Sequence, residues 1–348
     1  MSNRRKVYFS ASSIIKATLI VFCFSGNPGC RGNEAEPVNL KADKKPLVRK
    51  PVAHLRRPTR VQSDLPPPSD DVVIKLIDPG KKPLRKLRYA FRAGIREAAK
   101  VAISETMSVK TNGKELPETV SPPVGFEIIT SVESAKKDQP AKLTLIFGKT
   151  SIPNGTTNAQ STLVAEMLKS LEGVPGIQTL TDQGIVKESE IQMPNGANAA
   201  VRNLWQGTQR IAQNLIQFPV EPVGVGARWE VTQDISLITS ARQITKYELL
   251  ALVRGGGTVR AEIVQTGRPG LVPEMSNDDI ENYLDSFKAT GEAELDFKLN
   301  CGISFGKVTM TTVASYTSES DTEDNITEYH TVQSVETKRA TVPNKGKK

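Results

Sequence analysis

Histidine is almost absent from this chain of 348 residues: His54 and His330 are the only two. Cysteine is nearly as scarce, with Cys23, Cys30 and Cys301, and aromatic residues make up 5%. Long apolar runs are missing too; the longest near the N-terminus, "ATLIVFCF" (Ala17–Phe24), has eight residues. Each shortage removes a class of function. Without Cys/His clusters at ligand spacing there is no zinc site. Three cysteines make no disulfide framework. One histidine in the body, with no G-x-S-x-G elbow, leaves no serine for it to activate. A run of eight is far short of the roughly 20 apolar residues that span a bilayer.

The net charge of +8 is unevenly placed. Residues 1–90 carry 19 Lys+Arg against 7 Asp+Glu, and the remaining 258 carry 27 against 31. The basic excess belongs to an N-terminal arm and the body is mildly acidic. A nucleic-acid-binding domain carries its basic face on the fold itself. Specific nucleic-acid binding is therefore not expected, whereas the arm suits an anionic lipid surface.

Arg4, Arg5, Lys6 and the apolar run form a secretory signal over residues 1–29. Two cleavage sites fit. Cutting before Cys30, after the small Gly29, exposes a cysteine for lipid attachment; cutting after Ser25 is ordinary secretion. From Arg31 onward prolines stand at 37, 46, 51, 58, 66, 67 and 68 among basic residues. Such a segment buries too little to order itself. Residues 30–71 read as a basic tether, which makes sense when its first residue is fixed to a membrane. The expected anchor is Cys30, and the expected location is the periplasm or outer membrane of a bacterium.

The body, residues 72–338, reads mostly as strands, with a basic tail over 339–348. Leu87, Tyr89 and Phe91 alternate; so do Val101, Ile103, Met107 and Val109. In "AELDFKLNC", Ala293, Leu295, Phe297, Leu299 and Cys301 face one way and polar residues the other. Gly255-Gly256-Gly257 signals a hairpin, as does Asp182-Gln183-Gly184. Two stretches carry the helical period: Asn158–Glu172, and Asn198–Gln217 with Trp205 on its apolar stripe. The expected fold is α+β: a curved, mainly antiparallel, half-barrel-like sheet packed on two amphipathic helices.

Leu87-Arg88-Tyr89, the Asp182-Gln183-Gly184 turn and "FPVEPVGVGARWEV" (Phe218–Val231) resemble a poorly characterised family of bacterial secreted proteins and lipoproteins. The resemblance covers roughly residues 72–335 and implies no assigned activity. By element order the architecture also looks like the half-barrel of periplasmic lipoprotein carriers, which hold acyl chains between sheet and helices; that is an analogy of fold.

Candidate chemistry is thin. Gly148-Lys149-Thr150 ends a strand and lacks the upstream glycine of a phosphate loop. Gly224-Val225-Gly226 lacks the third glycine of a dinucleotide fingerprint, since Trp229 holds that place. The acidic run Ser318–Glu328 misses the glycine and glutamate of a calcium loop. Trp205, Gly224, Gly226, Trp229 and Cys301 are read as structural, Cys301 as a small buried hydrophobe. No catalytic residue, cofactor or metal is assigned. The expected function is a non-enzymatic envelope lipoprotein or secreted protein that binds an apolar ligand or a protein partner on its sheet. The alternative is a hydrolase of envelope polymers using two carboxylates.

Overall fold

The computed structural model describes residues 65–67, 69, 71–136, 139–151, 169–191, 215–236, 240–276, 280–320 and 324–342. They form one antiparallel sheet of 14 strands. In chain order these are β1 (Val73–Asp78), β2 (Arg96–Thr111), β3 (Lys114–Glu115), β4 (Thr119–Ser134), β5 (Ala141–Ser151), β6 (Pro175–Leu180) and β7 (Val186–Ile191). Then follow β8 (Arg228–Ser236), β9 (Ser240–Val253), β10 (Gly256–Gly267), β11 (Gly270–Leu271), β12 (Ile280–Lys298), β13 (Phe305–Ser320) and β14 (Asp324–Ala340). The spatial order is β1-β8-β9-β10-β12-β13-β14-β2-β4-β5-β6-β7, with β3 on β2 and β11 on β12. One short 3-10 turn, Pro273–Met275, interrupts them.

The α+β expectation is corrected: the described body is nearly all β. Most of both stretches expected to be helical lies outside the described residues, Trp205 included. At their described ends, Lys169 is still helical and Ser170–Gly173 forms a turn, while Leu215–Phe218 is irregular. Leu171 and Ile216 are nonetheless fully buried in the main core. A helical period reports that one side of a segment is apolar, and a buried irregular segment satisfies that as well. The segment around Leu87-Arg88-Tyr89 is corrected too. It alternates like a strand but pairs with no neighbouring strand, apart from one bridge between Arg85 and Val223.

That segment works with two others to curl the sheet. From β8 to β6 is nine strand steps, about 43 Å if the sheet were flat. Yet Phe218 reaches both ends. Its ring lies 6.3 Å from Trp229 on β8 and 5.1 Å from Phe297 on β12, while its N–H donates to Gln183 O, in the β6–β7 turn, at 2.9 Å. Gln183 Nε2 returns a bond to Phe218 O at 2.9 Å. Tyr89 N–H donates to Asp182 O at 2.7 Å, and Ala90 N–H to Leu299 O. Arg88 donates to Leu87 O, Pro219 O and Val220 O and pairs with Asp182 at 3.4 Å. Gly184 sits under this clasp with φ +86; a Cβ there would lie 2.5 Å from Ile216 O. Among the described residues the sheet stays open at its edges, but its ends are tied together across the inside.

One apolar cluster fills the curl, drawing on β2, β4, β5, β8, β9, β10, β12, β13 and β14. A smaller one, with Val272, Leu284, Ala314 and Tyr316, lies toward the other end of the long strands. The outer face is wet. Successive strands there place Arg228, Glu248, Arg260, Glu294, Lys307 and Glu336 in one register row of alternating sign. Exposed pairs of this kind contribute about 0–1 kcal/mol each, but a slipped register would bring like charges together.

Candidate functional site on the inner face

Two register rows cross the inner face between the apolar clusters, and both are unusually polar. The first joins Thr245, Ile263, Gly291, Met310, Gln333, Glu105 and Ser121 from β9 across to β4. The second joins Gln233, Gln243, Gln265, Ala289, Thr312, Thr331 and Met107. Below them the next row is Trp229, Tyr247, Ala261, Ala293, Val308, Val335 and Ile103. Above them stand Phe287, Ala314, Tyr329 and Val109. Inward positions of a half-buried sheet are normally apolar, so a polar belt there needs a reason.

Part of the belt satisfies itself. Gln265 Nε2 donates to Gln243 Oε1 at 2.9 Å, and Gln243 Nε2 donates to Thr245 Oγ1 at 3.1 Å. The other part does not. Thr331 Oγ1 and Glu105 Oε1 are buried without a hydrogen-bond partner. Glu105 is only 7% exposed. Burial, with no opposing charge, pushes its carboxyl up to about 8 from an ordinary 4.5. Around it, Ile103, Ile263 and Met310 are only partly buried and Gln333, Gln243 and Gln265 are half-buried. Thr245, Met107, Ala289, Thr312 and Thr331 are buried, so the belt mixes covered and partly exposed positions.

The sequence contained the signal. Between Ile103 and Met107 the alternation requires an inward side chain at 105, and glutamate occupies it. The apolar members of the run, Val101, Ile103, Met107 and Val109, mask that break. The residues singled out from sequence fall elsewhere. Trp229 is buried in the main core and donates Nε1–H to Gln217 O at 2.8 Å. Gly224 lies where a Cβ would sit 1.9 Å from Lys81 O, and Gly226 has φ +83. Cys301 is a buried free thiol whose Sγ lies 3.2 Å from Ile303 O. His330 is exposed on the outer face, opposite Ser108 and Val313. Cys30 and Trp205 lie outside the described residues.

The arm meets the body near the turn between β8 and β9. Ser69 N–H donates to Asp234 Oδ2 at 2.8 Å, and Arg268 Nη1 to Leu65 O at 3.2 Å. Burial works to raise the Asp234 carboxyl. The hydrogen bonds from Arg242 and Ser69 and the charges of Arg242 and Arg268 outweigh that and hold it below the usual range.

Among the described residues no group of three or more His, Cys, Asp or Glu is placed to hold a metal ion. No protein-family model matches the chain, and no curated protein is detectably similar to it.

Proposed function

We propose that the chain is an exported cell-envelope binding protein, held to a membrane through lipid on Cys30, whose curled sheet holds an amphipathic, acyl-bearing ligand on its inner face. The observation that carries this reading is the polar belt between two apolar zones: tails have apolar surface on either side, and a head group has hydroxyls and carboxamides. The partly buried Ile103, Ile263 and Met310 supply apolar contact beside the belt. Separating an acyl chain from water is worth about 0.8 kcal/mol per CH₂, enough to hold a lipid in competition with a bilayer only when the chain is well covered.

The hydrolase alternative needs two carboxyl groups within roughly 5–10 Å. Glu105 is the single acid in the two belt rows. The other inward-facing glutamate of β2, Glu97, is eight residues away, about 26 Å along the strand. The binding reading is therefore preferred.

The test is solvent extraction of the protein purified from its own host, followed by mass spectrometry. A stoichiometric acylated species is expected. Protein that carries none, and that takes up no labelled lipid from vesicles, would sink the reading.

A further inference from the structure

Resting on that binding reading, we propose that the belt selects a ligand with an uncharged, carbonyl-bearing head, an ester or an amide, and that Glu105 recognises it as a protonated acid donating a hydrogen bond to the carbonyl oxygen. The argument is one of charge. Apart from Glu105, neither belt row holds a Lys, Arg, His, Asp or Glu. Glu105 faces Gln333 and, diagonally, Thr331 and Val335 on β14, and Ser121 on β4, with no titratable group from either strand. A phosphate or sulfate head would find no counter-charge there, and desolvating it without one is costly. A carbonyl finds carboxamide and hydroxyl donors already in place.

The same surroundings decide the protonation state of Glu105. With only desolvation acting, its carboxyl is mostly neutral at pH 7, and a neutral carboxyl has an O–H to give. An unpartnered buried Oε1 is a standing cost to the fold. A carbonyl acceptor meeting the carboxyl O–H would remove it.

The experiment uses the full-length protein and a fluorescently labelled diacylglycerol, titrated from pH 6.5 to 9. Phosphatidic acid and a trimethylammonium lipid with the same acyl chains serve as anionic and cationic controls. The neutral lipid should bind at least tenfold more tightly than either at pH 7. Its affinity should fall about tenfold between pH 7 and pH 9, as the protonated fraction falls. Glu105→Gln, which keeps an N–H donor, should bind within about twofold of wild type at pH 7 and lose the pH dependence. Glu105→Leu should bind at least tenfold more weakly while remaining folded by circular dichroism. A charged lipid that binds as tightly as the neutral one, or a flat wild-type pH profile, overturns the head-group inference and leaves the binding reading standing. If none of the three lipids binds at any pH, the binding reading falls and this inference goes with it.

Discussion

Glu105 shows how much one inward position can matter. Its folded-state pKa lies near 8, above the ordinary 4.5. For an acid shifted upward, the folded chain holds the proton more tightly than the unfolded chain does. Its contribution is complete below about pH 4.5 and declines as pH rises toward 8. Glu105→Gln removes that dependence. Its stability relative to wild type should therefore grow between pH 5 and pH 7, by about 2–3 kcal/mol. Urea unfolding at the two pH values measures it; an unchanged difference would mean that the carboxyl is not buried as described. The other residue-scale lesson concerns glycine. Gly224 and Gly184 lie where backbone from another segment leaves no room for a Cβ. Gly224 reads as structural from sequence, but its contact does not, because close approach depends on a partner segment far away in the chain.

At the scale of elements, the strands with clean alternation were the legible ones. Ala293, Leu295 and Phe297 are buried as their spacing requires, and the glycine triplet at 255–257 closes the β9–β10 hairpin. The segment Leu87–Phe91 misled because burying alternate side chains does not need a ladder; Tyr89 is buried at 5% exposure while its N–H bonds to a turn. Arg88 donates to three backbone carbonyls in the clasp. Lysine lacks that planar fork, so Arg88→Lys should destabilise the fold by about 2–3 kcal/mol, read as a lowered urea midpoint at unchanged slope. The arm's docking gives a separate expectation. Asp234→Ala removes the acceptor for Ser69 and a partner of Arg242 and Arg268. Limited proteolysis should then cut within residues 65–72 faster than in wild type while the body stays intact.

For the whole molecule, local patterns say little about closure. The sheet pairs β14 with β2, joining Ala340 to Ala98, and β1 with β8, joining Val73 to Thr232. No periodicity encodes which distant strands become neighbours, nor that Phe218 spans the curl. The belt, by contrast, was partly legible strand by strand. Gln243, Gln265, Thr312 and Thr331 each break an inward apolar pattern, but only the register aligns them. At the level of the cell, Cys30→Ser should move the protein from the membrane fraction to the soluble one; a variant that stays with the membrane argues against the anchor.

The central claim is that ligand sits on the inner face at the belt, and neighbouring residues of opposite face make it testable. An acyl lipid carrying a photoreactive diazirine, cross-linked to the full-length protein and mapped by peptide mass spectrometry, reads the face directly. Adducts are predicted on Ile103, Ile263 and Met310, which point inward. Adducts concentrated instead on Val264, Val313 and Val332, outward-facing residues of β10, β13 and β14 exposed at 38%, 51% and 38%, would contradict the account.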